Sequence, residues 1–138
     1  MASRIPKEVK KEVVDGWEAE TTWRVALFKS TSNCNTDGTS TYAQCLADGN
    51  ECSGTGYTAG GAELTGRIGS YKDGTNRALD ATDVSWASAT IASIRYAVVY
   101  DTAGDGLIRA VYDLGTNYAV TDGTFALTWH ADGLIKVK

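Results

Sequence analysis

The sequence predicts an all-β fold: a β-sandwich of jelly-roll or Greek-key type, of about eight strands, with a short N-terminal helix. Three observations predict it. Fifteen glycines stand against one proline, among many Thr, Ser and Asp residues, a composition of short strands and tight turns. Short runs of alternating apolar residues recur along the chain, separated by turn-forming residues. The stretch 83–101 contains one strand that is apolar on both faces at its C-terminal end. Ile94, Tyr96, Val98 and Tyr100 point one way; Ser93, Arg95, Ala97 and Val99 point the other. Such a strand belongs in the middle of a sheet, covered above and below.

The elements follow in order. Residues 6–16 read as a short helix: Pro6 suits a first-turn position, Ile5, Val9 and Val13 recur at helical spacing, and Gly16 is a stop. Lys7, Lys10 and Lys11, with Glu8 and Glu12 between them, form its solvated face. Residues 21–28 read as the first strand, with Trp23, Val25 and Leu27 alternating with Arg24, Ala26 and Phe28. A polar loop over 29–41 carries an Asp37-Gly38 turn signal. Residues 41–48 have the pattern of one or two helical turns, with Tyr42 and Leu46 at i and i+4.

The segment 53–61, Ser-Gly-Thr-Gly-Tyr-Thr-Ala-Gly-Gly, is the most biased in the chain. It lacks the Lys-Ser/Thr ending of a phosphate-binding loop, and no apolar strand precedes it. It is expected to cross a sheet edge with Tyr57 as its anchor. Residues 63–71 read as a strand bent at Gly66 and Gly69, Asp73-Gly74 as a turn, and 76–81 as a short strand with Ala78 or Leu79 inward. Val84-Ser85-Trp86 precedes the central strand. The segment 101–106 turns the chain into a strand over 107–113. A loop over 115–120 and a turn at Asp122-Gly123 are expected next. A half-buried strand over 124–129 follows, with Phe125, Leu127 and Trp129 on one face. Asp132-Gly133 then turns the chain into a last strand over 134–137, which makes a hairpin with the preceding one.

The chain has 138 residues, the length of one domain that buries a core without staples. No linker or internal repeat divides it. It is read as a single β-sandwich domain over 1–138, with 1–16 as an N-terminal helical arm. The formal net charge of −4 argues against a nucleic-acid partner. No apolar run approaches the roughly 20 residues of a membrane helix, and no membrane partner is expected. The charged N-terminus lacks an apolar signal core, so synthesis in a cytoplasm is expected.

Catalytic, cofactor-binding and metal-ligating signatures are not found, and no cofactor is expected. Asp37, Asp73, Asp105, Asp122 and Asp132 each precede a glycine. This is the commonest hairpin chemistry, and no EF-hand spacing accompanies it; only Asp101 and Asp105 form a close pair. His130 is the only histidine, with no nucleophile elbow to serve, and reads as structural. Trp17, Trp23, Trp86 and Trp129, with seven tyrosines, suit a core or a protein interface, and aromatics on a sandwich face also bind sugar. Cys34, Cys45 and Cys52 match no zinc or thioredoxin spacing. Reduced, partly buried thiols are the simplest reading, and a disulfide within or between subunits, formed after the protein leaves the cell, is the alternative.

Three stretches resemble small virion proteins of tailed bacteriophages. One is 53–61 followed by Glu63-Leu64-Thr65-Gly66. Another is Asp83-Val84-Ser85-Trp86 with Thr90-Ile91 and 95–100. The third is Asp122-Gly123-Thr124-Phe125 through Trp129, with Asp132-Gly133-Leu134-Ile135. The opening helix and Trp23-Arg24-Val25-Ala26-Leu27 are also similar to the start of that family. The resemblance implies a structural virion component without enzymatic activity, made in the bacterial host cytoplasm. As a capsid decoration or cement protein it would sit on the capsid surface and bind the major capsid protein. It would do so as a homo-oligomer, with a trimer favoured. A tail- or vertex-side module that recognises a host glycan or another tail protein is the alternative, and a small hydrolase a distant third. The N-terminal arm and the glycine-rich segment are the expected contact regions. In that family an aliphatic residue is usual where Cys52 stands, and Cys34 and Cys45 fall in the variable loop before it.

Overall fold

A computed structural model describes residues 7–20, 22–36, 38–72, 76–129 and 134–137. The chain is mostly β, in antiparallel sheets. It divides into two compact units: 1–20, 64–83 and 128–138 form the first, and 21–63 and 84–127 the second.

In the first unit, helix α1 (Lys7–Ala19) accompanies a three-stranded sheet. The helix does not stop at Gly16. It continues to Ala19 because its exposed C-terminal carbonyls find a partner: the Arg67 guanidinium donates to Trp17 O at 3.1 Å and to Glu20 O at 2.8 Å. This satisfies acceptors that a helix end leaves orphaned and outweighs the roughly 1 kcal/mol that a mid-helix glycine costs. The inward residue is Val14, fully buried, whereas Val13 is 39% exposed. Tertiary packing has rotated the apolar face by one position. A Cβ on Gly69 would lie 2.9 Å from Val14 Cγ1, so glycine here admits the helix against the sheet.

The expected strand over 63–71 is two strands. The first, β3, is Ala62–Leu64; past a break at Gly66 (φ 65°), β4 (Ile68–Lys72) pairs with β5 (Asn76–Asp80), from Ile68 opposite Asp80 to Lys72 opposite Asn76. The Asp73-Gly74 turn lies outside the described residues. Both Ala78 and Leu79 are fully buried. The last strand, Ile135–Val137, pairs with β5, Leu79 opposite Ile135. The expected hairpin between 124–129 and 134–137 is therefore not formed. Residues 130–133, with His130 and the Asp132-Gly133 turn, lie outside the described residues.

In the second unit, β1 (Trp23–Phe28) pairs with the central strand β6 (Val84–Asp101), Trp23 opposite Asp101 and Phe28 opposite Tyr96. The other edge of β6 carries β7 (Ile108–Leu127), so residues 96–101 lie mid-sheet as expected. Two short strands complete the sheet: β2 (Gly54–Thr55) pairs with β6, and β3 (Ala62–Leu64) lies beside β1. The strand Ile135–Val137 of the first unit is β8.

Strand β6 absorbs Val84-Ser85-Trp86, because two bulges keep its buried face in phase. Trp86-Ala87-Ser88-Ala89 and Ile91-Ala92-Ser93-Ile94 repeat one pattern: two exposed residues between two buried ones, with φ 50° at Ser88 and 60° at Ser93. Each bulge inserts one extra residue, so Trp86, Ala89, Ile91 and Ile94 all remain buried. The expected loop over 115–120 and turn at Asp122-Gly123 are likewise irregularities within β7. The register shifts between Asp113 (opposite Tyr96) and Tyr118 (opposite Ile94), and again near Asp122 (φ 47°). The end of β7 pairs with the start of β6, Phe125 opposite Trp86 and Leu127 opposite Val84.

Candidate functional site

The glycine-rich segment, the helix α2 (Tyr42–Leu46) and the 102–107 turn come together in the second unit. Helix α2 begins in a capping box: the Gln44 N–H donates to Thr41 Oγ1, and the Thr41 N–H donates to Gln44 Oε1, both at 3.2 Å. The turn completes the cap, since the Tyr42 N–H donates to Gly106 O at 2.7 Å and the Ala43 N–H to Asp105 O at 3.3 Å. Asp105-Gly106 is thus a turn, as its sequence predicts, and it docks the short helix.

The carboxylate of Glu51 is the hub. It accepts from the Tyr42 hydroxyl, from the Tyr57 hydroxyl at 2.6 Å and from the Gly60 N–H at 2.8 Å. Tyr57 is buried and its oxygen also accepts the N–H of Leu27 at 3.0 Å. It anchors the segment as expected. The Tyr100 hydroxyl donates to Gly60 O at 2.6 Å, and Arg24 Nη1 donates to Gly61 O at 2.9 Å. Burial and then the Glu51 hydrogen bond push both the Tyr42 and Tyr57 phenols far above their ordinary range. Burial pushes Tyr100 up to about 12. A loop with several glycines is therefore held rigid by side chains beneath it, while Ser53, Gly54, Thr55, Gly56, Thr58 and Ala59 remain exposed.

Beside this loop lies an open groove of about 460 Å³, lined among others by Arg24, Tyr42, Leu46, Tyr100, Thr102 and Asp105. The Tyr42 and Tyr100 rings stack at 4.3 Å, 3° from parallel. Leu46 (43% exposed) and the nearby Leu107 (46%) add apolar surface.

The other residues singled out in the sequence are placed as follows. Asp101 and Asp105 do not converge. Asp101 is buried, accepts the Ala103 N–H at 3.0 Å and faces Arg109 Nη2 at 3.7 Å, while Asp105 is exposed on the turn. No cluster of three or more metal-ligating side chains occurs among the described residues. Trp23 and Trp86 are core residues, Trp86 lying near Tyr57 and Phe125 with ring centroids 6.0 and 6.1 Å away. Residues 1–6 of the arm lie outside the described residues. Cys34, Cys45 and Cys52 are all buried free thiols. Cys34 and Cys45 share one core cluster with Ala26, Phe28, Val98 and Tyr100, and Cys52 Sγ donates to Ser93 O at 3.8 Å.

Sequence reasoning did not find Glu51. A lone glutamate between Asn50 and Cys52 carries no local pattern, and its role exists only once Tyr42, Tyr57 and Gly60 surround it.

No protein-family model, curated protein or solved structure matches this chain.

Proposed function

We propose that this chain is a structural component of a tailed-bacteriophage particle: a capsid decoration protein, without enzymatic activity, that binds the major capsid protein on the outer surface of the shell and stabilises it. The observation that carries the reading is that parts of the three phage-like stretches are neighbours in one sheet. Gly54 and Thr55 pair with Ile91 and Thr90. On the opposite edge, residues 120–127 pair with 84–91 of the same strand. These parts of a pattern scattered over the sequence thus lie side by side, while Ile135, at the end of the third stretch, belongs to the other sheet. Beside these parts stand a rigid exposed loop and the outer edge of β7, a long strand whose middle residues 115–119 are all exposed.

A decoration protein needs a stiff scaffold with an adhesive rim, and repeated weak contacts on a symmetric lattice give firm attachment. Homo-oligomerisation, as a trimer, belongs to this proposal, and so does the β-sandwich of jelly-roll or Greek-key type. Its support is the antiparallel pairing and the half-buried alternation of strands such as 124–127.

A second reading has its own observation. The groove beside Tyr42, with an aromatic ring, Arg24, Thr102 and Asp105, has the mixed character of a glycan site, which suits a tail- or vertex-side recognition module.

The test is the copy number of the protein in purified particles, measured against the major capsid protein. A simple fraction of the shell subunit supports decoration. A few copies per particle transfer the protein to the tail or a vertex. Absence from particles overturns both readings.

A further inference from the structure

Arg24 and Asp105 are the charged residues in the wall of the groove, and they do not pair with each other among the described residues. Arg24 lies opposite Tyr100 in the sheet. The next members of its face of β1, Ala26 and Phe28, are fully buried and packed with Cys45 of α2. The guanidinium is thus a half-buried cation at the end of an apolar row. Its Nη1 donates to Gly61 O at 2.9 Å, a neutral acceptor, and among the described residues it makes no other hydrogen bond and no ion pair. The Glu51 carboxylate beneath the loop is already taken by two phenols and the Gly60 N–H. A cation drawn out of water with one neutral acceptor is incompletely compensated. The group that best matches its planar fork is a carboxylate.

The rest of the wall narrows the choice. The Tyr42 ring, stacked on Tyr100, and the half-exposed Leu46 form an apolar flank. Thr102 Oγ1 donates to Thr22 O at 2.8 Å and keeps its own lone pairs, and the Asp105 carboxylate is exposed on the turn. Both can accept from hydroxyls. The volume of about 460 Å³ falls within the roughly 300–1,000 Å³ of small-ligand sites. A phosphate group, with up to two negative charges, would meet a single groove cation beside Asp105, in a chain of net charge −4. A carboxylate brings one charge and is balanced by Arg24 alone.

We propose that this groove binds an acidic sugar, a uronic acid unit whose carboxylate meets Arg24, whose C–H face lies on Tyr42 and Leu46, and whose hydroxyls donate to Thr102 and Asp105. The inference rests on the glycan reading of the groove and names the class of sugar.

The experiment titrates the isotope-labelled full chain with methyl glucuronoside, methyl glucoside, acetate and inorganic phosphate, each to tens of millimolar, and follows the amides of Gly60, Gly61, Gly104 and Gly106 by nuclear magnetic resonance. The two glycosides differ only in a carboxylate against a hydroxymethyl group, so the comparison needs no variant. The expected result is glucuronoside affinity at least about tenfold above that of the other three, the effect of one charge-assisted hydrogen bond. Arg24→Gln, with its fold checked by circular dichroism, should erase that preference. Equal affinity for the two glycosides would overturn the inference and leave the glycan reading standing. Acetate or phosphate binding as well as the glucuronoside would overturn it too, because an anion and not a sugar is then recognised. A preference that survives in folded Arg24→Gln chain removes Arg24 from the site and overturns the inference. Unmoved amides with every probe would overturn both the inference and the glycan reading.

Discussion

The Tyr57 hydroxyl donates to the Glu51 carboxylate at 2.6 Å while accepting the N–H of Leu27 at 3.0 Å, so one phenol fastens the glycine-rich loop to the first strand of the sheet. Tyr57→Phe leaves the Leu27 N–H unpaired in the interior, at a cost of about 1–3 kcal/mol. Glu51→Ala should cost more, because two phenols and the Gly60 N–H lose their acceptor together. Urea unfolding of both variants checks the order, and equal losses would contradict a hub at Glu51.

Gly61 and Gly115 have nearly the same backbone, φ 84° and 85°, in different surroundings. A Cβ on Gly61 would lie 1.8 Å from Val25 O, whereas nothing lies within 4 Å of one on Gly115. Gly115→Ala should cost only the left-handed penalty of about 1–2 kcal/mol. Gly61→Ala must push β1 and its neighbour apart, and should lose folded protein outright. Soluble yield and thermal midpoint separate the two.

The bulge serines predict a gain. Ser93 sits at φ 60° inside β6, where an L-residue carries roughly 1–2 kcal/mol of strain. Ser93→Gly should be neutral to stabilising, since relief of strain is offset by the freedom glycine adds to the unfolded chain. Ser93→Val should destabilise. Chemical unfolding of the pair tests whether the bulge, and not the side chain, is what matters at this position.

Acid should weaken the fold through two carboxylates. A hydrogen bond from Lys11, then one from Arg77, holds Asp15 below the usual carboxylate range, and a hydrogen bond from Arg95 does the same for Asp113. A depressed folded-state pKa means the unfolded chain takes up the proton first. The contribution is therefore present above the ordinary carboxylate pKa and lost as pH falls through the depressed one. Asp15→Asn and Asp113→Asn should flatten the acid limb of thermal midpoint against pH. Limbs identical to that of the parent chain would refute the assignment.

Alkali should act through tyrosine. Tyr42 and Tyr57 are pushed far up, and burial pushes Tyr100 and Tyr112 up to about 12. A raised folded-state pKa means the unfolded chain loses the proton first. Stability is thus full below the ordinary phenol pKa and declines as pH rises through the raised values. Tyrosinate absorbance should rise in part before unfolding and complete itself only with it. A full rise while the near-ultraviolet dichroism stays native would contradict these burials.

Some elements were legible because their signals are local. Alternation over 23–28 and 94–100 marks strands buried on both faces, and alternation over 124–127 marks a strand buried on one. Thr41 and Gln44, three apart, are a helix start in themselves. Tyr57 stood out as the single large side chain among glycines. The Ala-Ser pair repeated at 87–88 and 92–93 was also readable, but only a reader expecting bulges would join 84–101 into one strand.

What the sequence by itself determined is which short segments extend, which turn, and which faces are apolar, because side-chain period and turn chemistry act between near neighbours. Tertiary structure alone decided the pairings: β8 with β5 instead of the strand before it, the end of β7 with the start of β6, and Val14 inward in place of Val13. It also decided that Glu51 meets three donors and that Cys34 and Cys45 fall in one buried cluster. Each of these is a contact between residues distant in the chain. Such contacts depend on which arrangement buries the most surface and leaves the fewest polar groups unpaired, a property of the whole chain and not of any window within it.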